Sequence, residues 1–190
     1  MTQVEISEVA TLPTKSGEFL IQAFKETLSG KEHLAIFSKN LKDTPLVRVH
    51  SECLTGDALG SLKCDCGEQL EYALNKIYKE DGVILYLRQE GRDIGLLNKV
   101  NAYNLQDKGL DTIEANHQLG FESDLRRYEI AEYILKHLGI DKIRLLTNNP
   151  RKLNEIKSVE IIERVPIIID SNRYNENYLE VKKRDMGHLL

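Results

Sequence analysis

Hydrophobic positions along the chain follow two periods, and the change from one to the other falls near residue 46. Before it, residues 3–9 (QVEISEV), 18–24 (EFLIQAF) and 33–38 (HLAIFS) alternate or cluster their apolar positions, with KSG and LSGKE as turns between them. Short runs with such punctuation predict an antiparallel meander. Residues 46–50 predict a further strand. After it, CGEQLEYALNKIYKEDG carries Leu70, Ala73, Leu74 and Ile77 at helical spacing, so a helix leads out of the segment that holds the cysteines. The compact apolar run 83–88 (VILYLR), bounded by Asp81-Gly82 and by QEGR, predicts a buried strand that feeds a loop and then the helix IGLLNKVNAYNLQDKG, closed by glycine. A second helix is predicted over 124–137, with Ile130, Tyr133, Ile134 and Leu138 on one face. Residues 143–147 (IRLLT) form a strand ended by Asn148-Asn149-Pro150, near a helix start, and VEIIERVPIII supplies the last strand before a C-terminal helix. Strands and helices alternate after residue 46, which predicts an α/β fold of three layers around a mixed β-sheet.

Composition narrows the function more than the fold. A chain of 190 residues with 41% hydrophobic content buries one good core, so a single domain over 1–190 is expected. The start, MTQVEISEVATLPTKSGEF, lacks the basic and apolar regions of a signal peptide, and no apolar run approaches the roughly 18 residues of a membrane span. The expectation is a soluble, cytoplasmic protein with no membrane partner. A net charge of -4 argues against a broad nucleic-acid surface. Locally the balance differs: between Arg48 and Lys152 lie Lys63, Arg88, Arg92, Lys99, Arg126, Arg127 and Arg151, several beside glycine or turn residues, and these could build a phosphate pocket.

The three cysteines sit close together: Cys53, ten residues, then Cys64-Asp65-Cys66. An odd number confined to one segment suits a metal or reactive site better than a disulfide framework. Three thiolates gathered by a strand end and a turn make a soft-ligand set for zinc. With water in the fourth position such a site is catalytic, because the metal lowers the pKa of its bound water. Spacing alone leaves open a closed structural site with His50 as fourth ligand, and three unrelated buried cysteines. His50-Ser51-Glu52 also matches the H-x-E half of the zinc deaminase signature, but C-x-C stands here in place of P-C-x-x-C. A deaminase and a non-enzymatic zinc-stabilised binding module are the competing function classes.

Taken in order, RVHSECLTGDALGSLKCDCG, RQEGRDIGLLNK, AYNLQD, ANHQLGF, DLRRY and LLTNNPRK resemble the successive signature segments of the GTP cyclohydrolase II family, over essentially the whole chain. The resemblance implies one Zn²⁺ per subunit at Cys53, Cys64 and Cys66, GTP as substrate with Mg²⁺ on its triphosphate, and a homodimer. It also implies formate, pyrophosphate and a diaminopyrimidine ribosyl phosphate as products, at the entry to riboflavin synthesis.

The same resemblance assigns residues. Arg48, Val49, His50, Ser51 and Glu52 correspond to a nucleotide-contacting segment, in which an arginine suits phosphate because it donates two parallel hydrogen bonds. Gln69, Glu90, Gly91, Arg92, Thr112, Thr147 and Lys152 match the remaining substrate contacts. Alone, most of these would read as ordinary surface residues. In Glu90-Gly91-Arg92 the glycine lets backbone approach a ligand, and Lys152 follows a helix start, where free N–H groups favour an anion. Asp124 and Arg126 occupy the family's D-x-R, which implies that the arginine attacks the α-phosphate and the aspartate helps to remove its proton. A guanidinium has a pKa above about 12, so the simpler physical role is to stabilise charge on the phosphoryl group. Tyr103 matches a catalytic tyrosine.

Overall fold

The protein is described from a computed structural model covering residues 3–189; Met1, Thr2 and Leu190, the ends of the expected domain, lie outside the described residues. Strands β1 (Val4–Ile6) and β2 (Ala10–Thr14) lie one after the other along β3 (Gly17–Glu26), both antiparallel to it, and β3 pairs with β4 (Glu32–Phe37). The predicted meander is present as β1-β3-β4, but its first edge is divided between β1 and the added strand β2. Ile6 faces Phe24 and Ala10 faces Ile21, so four steps on one strand meet three on the other. The extra residue makes a bulge, where Ser7 donates its N–H to the Ala23 carbonyl and accepts the Ala23 N–H on its hydroxyl. The strand expected over 3–9 therefore ends at Ile6. The unexpected β2 carries Pro13, tolerated because β2 pairs only with β3 and needs no second ladder.

The remaining strands are the expected ones. β5 (Leu46–Ser51) lies parallel between β6 (Val83–Leu87) and β7 (Lys142–Leu146), and β8 (Glu160–Val165) runs parallel to β7. Because β4 pairs antiparallel with β6, the sheet is mixed, in the order β1-β3-β4-β6-β5-β7-β8.

Strand alternation explains the layers. Val83, Leu85 and Leu87 pack on one face with Ile134 and Leu135 of the helix Glu129–His137, while Ile84 packs on the other with Ala73 and Ile77 of the helix Cys66–Glu80. Each fully buried side chain of this size contributes about 1.5–3 kcal/mol. Helices thus cover both faces, giving the expected three-layer α/β arrangement. In chain order the helices are α1 (Leu54–Asp57), α2 (Cys66–Glu80), α3 (Gly95–Gln106), α4 (Thr112–Gln118), α5 (Glu129–His137), α6 (Pro150–Glu155) and α7 (Glu176–Met186). None among the described residues is long and apolar enough to cross a membrane.

Two helices depart from expectation. α5 starts at Glu129, not 124, because the Asp124 carboxylate accepts the Arg126 N–H at 3.1 Å and closes a local turn instead of capping a helix. α4 was not predicted, yet it has a capping box: Asp111 accepts the N–H groups of Ile113 and Glu114, and Glu114 accepts the N–H of Asp111. The parallel strands β5, β6 and β7 lead into loops on one side of the molecule, where open α/β sheets place ligand sites.

Candidate active site

Those loops enclose a pocket that contains the cysteines. The Sγ atoms of Cys53, Cys64 and Cys66 lie within 4.8 Å of one another, with Cys53 and Cys64 3.6 Å apart. Two close backbone approaches make this possible. A Cβ on Gly67 would stand 2.3 Å from the Gly56 carbonyl oxygen, and a Cβ on Gly56 would stand 3.0 Å from the Cys64 sulfur. Three carboxylate contacts brace the cluster. Asp57 accepts the Cys53 N–H (2.9 Å) and the Tyr86 hydroxyl (2.8 Å), and Glu90 accepts the Leu54 N–H at 2.6 Å. Lys99 bridges Glu90 (2.7 Å) and the Cys53 sulfur (3.1 Å).

Hydrogen bonds from Cys64 and Cys66, aided by Lys99, hold the Cys53 thiol far below its ordinary value. Donating to that thiolate, Cys64 is pushed up to about 11, and Cys66 is raised as well. A soft divalent cation would stabilise all three as thiolates, so this donor set fits zinc. No fourth protein ligand joins the sulfurs among the described residues. His50 turns its Nε2 to Asp57 (3.1 Å) and stacks on Tyr86, its charged form disfavoured by burial despite the aspartate.

Cations line the same pocket. Arg48 is buried, donating to the Leu146 carbonyl (3.1 Å) and to Gln69 Oε1 (2.5 Å), while its Nε has no partner. Lys152 donates to the Val49 carbonyl at 2.6 Å; burial, Arg48 and Arg126 push its ammonium well below its usual pKa. Arg92 follows Gly91 in a turn where both have left-handed backbone, φ 61° and 62°. A non-glycine residue held there costs about 1–2 kcal/mol, and Arg92 lines the pocket with its guanidinium donating to the Ser123 carbonyl at 3.0 Å.

The expected catalytic residues stand in distinct settings. Tyr103, on α3, holds its hydroxyl 3.1 Å from that of Thr55, and burial raises its pKa, so it stays protonated at neutral pH. Arg126 makes a two-pronged pair with Asp124, at 2.8 and 2.6 Å, and Arg151 adds a third contact at 3.1 Å. Burial alone would raise the Asp124 carboxyl, but hydrogen bonds and charge from Arg126 bring it down to about 2. Arg126 is held more firmly protonated than a free guanidinium: burial opposes its charge, but Tyr128 and Asp124 outweigh that.

Of the residues expected at the site, Arg48, His50, Ser51, Glu52, Cys53, Cys64, Cys66, Gln69, Glu90, Gly91, Arg92, Tyr103, Thr112, Arg126, Thr147 and Lys152 all line the pocket. Two do not. Val49 points into the core on the α5 side and offers only its carbonyl, because successive strand residues face opposite ways. Asp124 lines a neighbouring polar cleft and reaches the pocket through Arg126. Within the site, Glu90 has both oxygens engaged by protein groups. Sequence reasoning missed Asp57, Tyr178, Lys182 and His188, and it placed Lys99 among phosphate cations when its amine faces a thiol.

Comparison with known proteins agrees with this geometry. The family model described as GTP cyclohydrolase II matches residues 5–166. A GTP cyclohydrolase-2 of Campylobacter hominis is 61% identical over 98% of this chain and 96% of its own, and one of Helicobacter pylori is 57% identical over 100% of both. Among solved structures, a two-domain 3,4-dihydroxy-2-butanone 4-phosphate synthase from A. baumannii superposes with a TM-score of 0.51 at 21% identity. That match covers 88% of this chain but 40% of the larger one, and it bears on the fold alone. With a matching family model over most of its length and full-length relatives well above half identity, the chain belongs to the GTP cyclohydrolase II family of hydrolases.

Proposed function

We propose that this protein hydrolyses GTP to a diaminopyrimidine ribosyl phosphate, formate and pyrophosphate, the entry step of riboflavin biosynthesis, with Zn²⁺ resident and Mg²⁺ brought by the triphosphate. The observation that carries the reading is one pocket containing both a three-thiol cluster and a set of buried cations. Cys53, Cys64 and Cys66 would hold the zinc, which supplies the Lewis acidity that activates water at neutral pH.

The chain's own groups do the rest. Arg48, Arg92, Arg126 and Lys152 bind the triphosphate, and charged donors fixed in a buried site stabilise phosphoryl transfer without reorganising. Tyr103, protonated and beside Thr55, hydrogen-bonds the purine during ring opening. Asp124 orients Arg126. Held by its two-pronged pair with Asp124 and firmly protonated, Arg126 acts as an electrostatic stabiliser of the α-phosphate. Residues 1–190 act as one catalytic domain, in a cytoplasmic homodimer.

The test is product analysis. Zinc-loaded protein is incubated with GTP and Mg²⁺ without oxygen, and formate, pyrophosphate, ammonia and the pyrimidine are quantified. Formate, pyrophosphate and the diaminopyrimidine together are the expected result; ammonia with an intact triphosphate would mean a deaminase, and unchanged GTP a binding module.

A further inference from the structure

Four side chains of the pocket come from beyond the 5–166 span of the family model: Ile167, Tyr178, Lys182 and His188. Asn148, at the end of β7, holds this segment in place. Its amide bonds the Ile167 backbone at both N–H and carbonyl, and its own carbonyl accepts the Leu189 N–H at 2.9 Å. α7 is thereby laid against the site.

That placement presses Lys182 against the cysteine turn. Its ammonium is 2.9 Å from one oxygen of Asp65, the residue between Cys64 and Cys66, and 4.2 Å from the Tyr178 ring centroid. Both partners are buried, Lys182 at 9% and Asp65 at 2% exposure. The other Asp65 oxygen accepts the Gln69 amide at 2.6 Å, and Gln69 Oε1 accepts Arg48 at 2.5 Å. A continuous polar chain, Lys182–Asp65–Gln69–Arg48, joins α7 to the metal turn and then to a phosphate-binding guanidinium. The Lys182 ammonium is thus turned to the Asp65 carboxylate of the cysteine turn.

We propose that Lys182 is a positioning residue of this active site: through Asp65 it fixes the Cys64–Asp65–Cys66 turn for zinc and, through Gln69, the Arg48 guanidinium for substrate phosphate. Without Lys182 a buried carboxylate stands unpaired between two metal-bound thiolates, and like charges push the turn apart. The kinetic part of this inference rests on the GTP cyclohydrolase II reading; the effect on metal retention rests on that reading's zinc site and on the Lys182–Asp65 contact, and does not depend on turnover.

The experiment uses the zinc holoenzyme and the variants Lys182→Met, Lys182→Arg, Asp65→Asn and the double Lys182→Met/Asp65→Asn. Zinc release to excess chelator, thermal unfolding, and kcat and KM for GTP are measured. Lys182→Met is expected to release zinc roughly 10–100-fold faster, the usual range for groups that orient metal ligands, and to raise KM more than it lowers kcat. Lys182→Arg, which keeps the charge, should recover most of the retention. The double variant should release zinc no faster than Asp65→Asn alone, because both residues act through one contact. It also leaves no unpaired buried charge, so it carries the test if Lys182→Met unfolds.

Unchanged release and KM in Lys182→Met, multiplied losses in the double variant, or an arginine as damaging as methionine would each overturn the proposal. If the unmodified protein makes no formate or pyrophosphate, the functional reading fails and zinc release still judges Lys182. If that protein holds no zinc, both fail.

Discussion

The thiol cluster and the cation cluster are the same problem with opposite sign. Around the sulfurs, hydrogen bonds and Lys99 hold the Cys53 thiol down while Cys64 and Cys66 are pushed up. Around Lys152, burial and the charges of Arg48 and Arg126 push the ammonium down, and His188 falls to about 3 through burial and the cations around it, Lys182 foremost. Neither cluster is at ease with its own charge. A core built for stability alone would not hold either, since uncompensated buried charge costs several kcal/mol. The lesson is complementarity: a cation would complete one cluster and a polyanion the other, and the two lie in one pocket.

The largest effect expected from breaking this arrangement is at the thiols. Cys64→Ser should lose zinc and reduce formate release to background; normal formate from a variant verified to be metal-free would separate the thiols from the chemistry. Next is Arg126→Lys, whose ammonium cannot keep the two-pronged pair with Asp124. Its kcat should fall about 10²–10³-fold, and full activity would remove Arg126 from the mechanism. Tyr103→Phe should slow formate release by about 10²-fold while the protein folds normally, and unimpaired release would mean that the ring only packs.

Smaller effects sharpen the comparison through pH. Because Lys152 is depressed in the free protein, bound triphosphate should draw a proton onto it. Affinity for GTP should then weaken as pH rises, by at most about tenfold per pH unit for one proton, and Lys152→Met should flatten that slope in titration calorimetry. Asp124, lowered from 3.8 to about 2, stabilises the fold by about 2 kcal/mol above pH ~4 and loses this as pH falls toward 2. Asp124→Asn should therefore lose stability at neutral pH and show a shallower acid transition.

How much of this was legible in the sequence depended on whether the signal was local. The strands β5, β6 and β7 are apolar runs with clear ends, and the cysteines carry their own chemistry, so both were readable. Asp124 misled because an aspartate that begins a helix and one that closes a turn obey the same preference for nearby N–H groups. The capping box at Asp111 and Glu114 was a usable signal for α4 and went unread. Lys182 was not readable from spacing, since its partner lies 117 positions away and a lysine in a charged helix ordinarily faces water.

That separation along the chain has a kinetic meaning. Arg48 bonds the Leu146 carbonyl across 98 positions, Lys152 bonds Val49 across 103, and Lys182 bonds Asp65 across 117. Contacts this distant form only after the loops between them have closed, and loop closure opposes their early appearance. During refolding the helices and the β3–β4 pairing can form from near neighbours, whereas the pocket is expected to be complete only once these long-range contacts close. A partly folded chain would hold no half-strength version of this pocket.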